Sequence, residues 1–316
     1  MEACLKFQLI EGDTIASMKG LLESIADIKK RHNLTQLWYR GHSDSDYHLV
    51  PTIARQYKYA GRSIHGFDLQ QERNLLHRFR RRAYPHVGRI LNEWEALFLA
   101  RHHELPTRIL DWTASPLVAL YFACASTKNL DKPANVWGIA RIRDETYDLD
   151  ILRLAMLSDV WQIAQIRDKK GTTEELKKFK SKLTRQHDDL LGPFKFYEER
   201  GEPINRRKVD TEDAVKIVHP FYNSPRIIAQ GGVFTFHSDP KQRLDSYQNK
   251  LFHRERLDIE CLIRWDIKPK VKSKIIKELD NVGINRRTVF PDLDGIARGL
   301  WETEVLWNGI PEKADR

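Results

Sequence analysis

Between residues 102 and 113 the chain gathers groups used in acid–base and anion chemistry: His102, His103, Glu104, Thr107, Arg108, Asp111, Trp112 and Thr113. Side chains alternate faces along an extended strand. One face then carries Arg108, Leu110 and Trp112, and the other carries Thr107, Ile109, Asp111 and Thr113. Charges on both faces make poor core unless each is paired. Two structural explanations fit: a buried Arg108–Asp111 pair, or Asp111 capping the helix that follows Thr113. The functional explanation is that Arg108 grips a phosphate while Asp111 offers a carboxylate to a reacting centre.

A second cluster is Tyr39-Arg40-Gly41. An arginine at the end of an apolar strand, followed by glycine, is unusual for a solvated edge. Its guanidinium suits a cleft, where it binds a phosphate or carboxylate through two parallel hydrogen bonds. A structural salt bridge is the alternative.

Several familiar signatures are missing. There is no GxxxxGK[ST] and no GxGxxG, which argues against P-loop hydrolysis and Rossmann dinucleotide binding. There is no GxSxG elbow and no HExxH. Cys4, Cys124 and Cys261 are far apart and form no CxxC pair, so neither a disulfide framework nor a cysteine zinc site is expected. A metal site would have to gather Glu72, His102 and Asp111, which no spacing demands, and we expect none.

The elements that must position these groups alternate irregularly. Apolar spacing predicts a helix over 17–31, and 37–40 read as a short strand stopped by Gly41. Residues 47–51 look extended. A helix runs from Asp68 to about Ala83, with Arg78, Arg80, Arg81 and Arg82 gathered at its end. Another helix covers 92–103 and a strand covers 107–112. Ser115 caps a buried helix whose first residue is Pro116. Strands are expected over 136–143 and 259–267, and over 227–237 with a break at Gly231-Gly232. A helix follows over 269–281, and a last one runs from Asp292 or Asp294 through Leu306. Between 144 and 223 charge is dense and periodicity weak, as in the basic run over 177–185, which suggests a charged helical insertion. The expected architecture is α+β, with a mixed or antiparallel sheet flanked by helices.

The chain has 316 residues and reads as one domain, with its core over about 17–143 and 224–307. Net charge is +9, which favours anionic partners such as nucleic acid or phosphate-bearing ligands. No window approaches the roughly 18 apolar residues of a membrane span. We expect a cytoplasmic protein with no membrane partner.

The two clusters resemble the FRG-domain family. That family opens with an aromatic-Arg-Gly segment, matched by Tyr39-Arg40-Gly41, and continues with a glutamate-bearing helix, matched by Glu72. Its most specific segment runs close to Gln-His-x-Gly-Leu-Pro-Thr-Arg-Leu-Leu-Asp-Trp-Thr-x-Ser-Pro. Residues 101–116 follow it, with Arg101 in place of Gln and Glu104 in place of Gly. Arg226, Gln230, Gly232 and Phe234 look like its later Arg-x-x-x-Gln-x-Gly-x-Phe strand.

FRG domains resemble, distantly, the ADP-ribosyltransferase fold. The resemblance implies an NAD-dependent effector, of the toxin or anti-phage-defence kind, that transfers ADP-ribose to nucleic acid or protein. NAD would be its substrate. Arg40 and Arg108 would grip the phosphates, Tyr39 or Trp112 would stack on nicotinamide, and Gly41, His102, Thr107 and Thr113 would line the site. Asp111 and Arg40 would be catalytic, with Gln230 standing where such folds usually place a glutamate. A non-catalytic nucleotide- or RNA-binding module and a metal-dependent nuclease are the alternatives.

Overall fold

The computed structural model describes residues 5–59, 62–64, 69–141, 215–220, 224–237, 239–241, 243–246, 251–252 and 259–308. Its strands are β1 (Leu5–Lys6), β2 (Gln8–Glu11), β3 (Leu37–His42), β4 (Tyr57–Tyr59), β5 (Arg62–Ile64), β6 (Ile109–Thr113), β7 (Ala134–Arg141), β8 (Val215–Val218), β9 (Gly232–His237), β10 (Leu251–Phe252) and β11 (Ile259–Ile267). The helices are α1 (Met18–His32), α2 (Leu69–Val87), α3 (Glu93–His102), α4 (Pro116–Cys124), α5 (Pro225–Gln230), α6 (Lys272–Asn281), α7 (Arg286–Val289) and α8 (Leu293–Asn308).

The fold is α+β. Seven strands form one mixed sheet in the order β2-β11-β7-β3-β6-β9-β8. Only β2 and β11 run parallel within it. One junction is thin. β3 pairs with β7 along its whole length, and β6 pairs with β9 likewise, yet β3 and β6 meet only at Tyr39 and Thr113. Beyond that pair the two strands part, and the sheet is split.

Helices cover one face in two groups. Leu21 and Ile28 of α1, Ala119 and Leu120 of α4, and Ile275 of α6 pack over Tyr39, Val136 and Ile263. Leu76 of α2 and Leu97 and Phe98 of α3 pack over Ile109 and Phe234. Ile109, Asp111 and Thr113 share the face of Tyr39, so Asp111 sits at the seam between the two groups. The opposite face is filled by Trp38, Leu110, Trp112, Trp137 and Val233.

Local chemistry explains much of this. Ser17, Asn92 and Ser115 each accept a backbone N–H as helix N-caps, and Asn92 forms a capping box with Glu95. Gly41 does not stop β3, which continues to His42. Its role is close approach: a Cβ there would stand 1.9 Å from Ala119 O and 2.6 Å from Ala123 N, so only glycine lets α4 lie on β3.

Four expectations need correction. Residues 225–230 are helix α5, not strand, because Pro225 at the first position and left-handed Gly231 (φ 54°) are start and stop signals of a helix. α2 continues past Ala83 and through Pro85 to Val87. Residues 47–51 are bent, not extended throughout: Val50 N–H donates to His48 O around buried Leu49, and a 3-10 turn over Thr52–Ala54 follows. β8, within the range read as insertion, is an edge strand of the main sheet. Residues 144–214, with the basic run, and 221–223 lie outside the described residues.

Candidate functional site

Arg40 fills the split between β3 and β6. Its Nη1 donates to the Asp111 backbone oxygen at 2.6 Å and lies 3.5 Å from Asp111 Oδ2. Its Nε donates to His42 Nε2 at 3.0 Å. The last turn of α3 supplies Arg101. Arg101 Nε is 3.0 Å from both carboxylate oxygens of Asp111, and its Nη2 donates to Oδ2 at 2.6 Å. Arg101 Nη1 also reaches Thr52 Oγ1 at 3.4 Å.

Two more guanidiniums stand close by. Arg55, which donates to Val50 O, and Arg101 both act on Arg40 as like charges. Arg226, at the start of α5, lies 4.5 Å over the Phe290 ring and interacts with Asp111, with Glu104 and Asp292 also near it. Arg40, Arg101 and Arg226 therefore gather around the Asp111 carboxylate, with Arg55 beside Arg40. Side-chain exposure is 14% for Arg40, 18% for Arg101 and 38% for Asp111, so the cluster opens to solvent chiefly on the Asp111 side.

Charge balance follows from the packing. Burial alone would raise the Asp111 pKa, but Arg101 and then Arg40 outweigh it and hold the carboxyl at about 2. Burial, with Arg55 and Arg101 adding to it and Asp111 opposing, lowers Arg40 to about 9. Both groups are charged at neutral pH. Asp111 is thus an ionised electrostatic partner and a poor proton acceptor.

His102 turns toward Ser224, whose Oγ is 3.4 Å from both ring nitrogens. Burial lowers its pKa, followed by His103 and Arg226, with Asp292 opposing. The neutral imidazole is favoured. Ser224 is the N-cap residue of α5, yet its side chain makes no capping hydrogen bond. Thr113 Oγ1 donates to the Gln230 backbone oxygen at 2.5 Å, and Gln230 Nε2 donates to Val289 O at 3.1 Å.

Arg40, Asp111, Thr113 and Gln230 are therefore linked by contacts, and His102 borders them through Arg226. Other expected site residues are withdrawn into the core. Arg108 Nε and Nη2 donate to Glu72 Oε2 at 2.8 and 2.7 Å, its backbone N–H donates to Glu72 Oε1, and both side chains are buried. Arg108 is thus paired with Glu72, not Asp111, and its side chain is withdrawn from solvent. Trp112 is buried and its Nε1 donates to Thr235 Oγ1. Tyr39 is buried, its hydroxyl pushed up to about 12 by burial. Neither ring is open for stacking. Thr107 is buried as well, and Gly41 serves helix packing.

Glu72, His102 and Asp111 face Arg108, Ser224 and Arg101 respectively, so they do not converge. No group of three or more metal-ligating side chains forms among the described residues. Arg101 and Arg226 join the site although neither was among the expected site residues. Their signal was visible: Arg101 is a charged departure inside the most specific segment, and Arg226 opens the later motif. Arg55 carried no such signal. Among the described residues no helix is long and apolar enough to cross a membrane.

Residues 35–132 match the family model described as FRG domain. That span includes Arg40, Arg55, Glu72, Arg101, Arg108 and Asp111, and leaves Arg226 and Gln230 outside. No curated protein matches the chain, and no solved structure does.

Proposed function

Taking residues 35–132 as an FRG domain, we propose that the split between β3 and β6 binds the phosphates of a nucleotide, and that the protein is an ADP-ribosyltransferase-like effector with NAD as substrate. The observation that carries this is the gathering of Arg40, Arg101 and Arg226 around the carboxylate of Asp111, with Arg55 beside Arg40. Such a cluster of partly exposed guanidiniums suits a diphosphate, which arginine binds bidentately. We read the split beyond the single β3–β6 pair as an ADP-ribosyltransferase-like cleft.

The chemistry assigns three roles. Arg40 and Arg101 hold the diphosphate and bend the dinucleotide. Ionised Asp111 stabilises the positive charge that develops on the ribose as nicotinamide leaves. Because Asp111 is too acidic to take a proton, neutral His102 receives the one released by the attacking hydroxyl. Gln230, its amide held by Val289, helps fix Thr113 at the edge of the site and supplies no acid. The acceptor is a nucleic acid or a protein side chain, in a toxin or anti-phage-defence setting.

One specific observation favours a second reading. Both Asp111 oxygens are engaged by Arg101, which neutralises the carboxylate. A non-catalytic nucleotide- or RNA-binding module would keep that pair closed. The two readings part in one assay: nicotinamide release from NAD, with and without RNA, DNA or cell lysate. The transferase releases nicotinamide, and Arg40→Ala and Asp111→Ala each slow release by about 100-fold. ADP-ribose binding without release supports the module. Release at wild-type rate from both variants removes the basis of the site.

A further inference from the structure

We infer that the solvent face of α2 is a docking surface for single-stranded nucleic acid. The helix has two distinct sides. Glu72, Leu76 and Ala83 are buried against α3 and β6. His77, Arg78, Arg81, Arg82, Tyr84 and His86 are exposed. Residues three and four apart share a helix face, so Arg78, Arg81 and Arg82 form one compact cationic patch.

Nothing in the helix neutralises that patch. Glu72 is the sole acid within α2, and it is spent on Arg108. Among the described residues Arg78, Arg81 and Arg82 have no ion-pair partner. Nearby arginines behave otherwise: Arg80 donates to Leu91 O at 3.0 and 2.6 Å, and Arg89 pairs with Glu95. Three guanidiniums left uncompensated on adjoining turns repel one another, and a polyanion relieves that repulsion while releasing its counterions.

The neighbouring side chains select the kind of polyanion. Tyr84 is 51% exposed, beside the arginines, and offers a ring on which an unpaired base can stack. A membrane-surface helix needs a broad apolar face opposite its charges, and the apolar face of α2 is already buried in the core. The patch and the split are also joined mechanically. α2 packs on α3, which carries Arg101. If the transferase reading holds, a strand on α2 is the acceptor; the docking itself does not depend on that reading.

The test uses the full chain and a labelled single-stranded oligonucleotide of mixed sequence, with affinity followed by fluorescence anisotropy as salt is raised. Wild type binds with a steep salt dependence. Arg78→Gln/Arg81→Gln/Arg82→Gln lowers the slope of log K against log salt by about 2, from roughly 0.7 per phosphate contact. Tyr84→Ala weakens binding about tenfold with the slope kept. A control with the same charge change elsewhere, Lys268→Gln/Lys270→Gln/Lys277→Gln, keeps the wild-type slope. The inference is overturned by no binding at low salt, by equal slope losses in both triple variants, or by binding to phosphatidylserine vesicles with none to the oligonucleotide. Nicotinamide assays are scored separately, so loss of either result leaves the other standing.

Discussion

At the scale of single residues, Glu104 shows how a departure from a pattern is tolerated. It occupies a left-handed backbone conformation, φ 63°, just past α3. Leu105 N–H donates to Ala100 O and Glu104 N–H to Arg101 O, the pair of bonds that closes a Schellman cap. Glycine is the residue that takes this position without strain, and glycine is what the family pattern has there. Glu104→Gly should therefore stabilise the protein by about 0.5–1 kcal/mol. Urea midpoints of the two proteins measure this, and a drop in midpoint would refute it. Arg108 and Arg101 are the complementary lesson. Both are arginines close to Asp111 in sequence, yet one is locked on Glu72 inside the core and the other faces the opening.

Among the elements, the contact of α4 with β3 holds the split in place. The strand carries Arg40, and the helix follows directly after the strand that carries Asp111. Any Cβ at position 41 runs into the α4 backbone, which is far less yielding than a side-chain tip. Gly41→Ala should cost about 1–3 kcal/mol or more and lower nicotinamide release or nucleotide affinity together with the unfolding midpoint. Unchanged stability would show that α4 shifts freely and that the motif's glycine serves something other than packing. α5 makes the same point about reading elements. Its Ser-Pro start and Gly stop are local signals, but alternation over 233–237 extends the strand pattern back across the glycine pair, and packing beside α7 accompanies the helix.

For the molecule as a whole, buried neutral imidazoles shape stability against acid. His237 is fully buried, and burial, followed by Arg108 and Arg40, lowers its pKa from 6.5 to about 3. His42 is lowered for similar reasons, burial first and then Arg40 and Arg55. The unfolded chain takes up these protons at higher pH than the folded one. Stability from both groups is complete above pH 6.5 and is lost as pH falls below it, for His237 toward about 3. Asp111 adds a second loss lower down, between its ordinary 3.8 and about 2. Denaturant midpoints at a series of pH values should fall through both windows, and His237→Gln should flatten the upper one. A level curve between pH 7 and 4.5 would mean that these imidazoles protonate without cost.

What could be read from the chain alone was local. The cap at Ser115, the helices that begin near Ser17 and Asn92, the strand over Ile259–Ile267 and the alternation of faces around Asp111 all depend on residues within a turn or two of each other. The family-bearing segments were legible for the same reason. Tertiary structure decided everything that joins distant positions. Glu72 lies 36 residues before Arg108, and their pairing removed that arginine from the site. Burial of both Tyr39 and Trp112 took away the expected stacking faces. Arg55 and Arg101 come up to Arg40, and Arg101 and Arg226 to Asp111, through the packing of separate elements. Alternation says which residues share a face of a strand; what covers that face is settled by the packing of elements far apart in sequence.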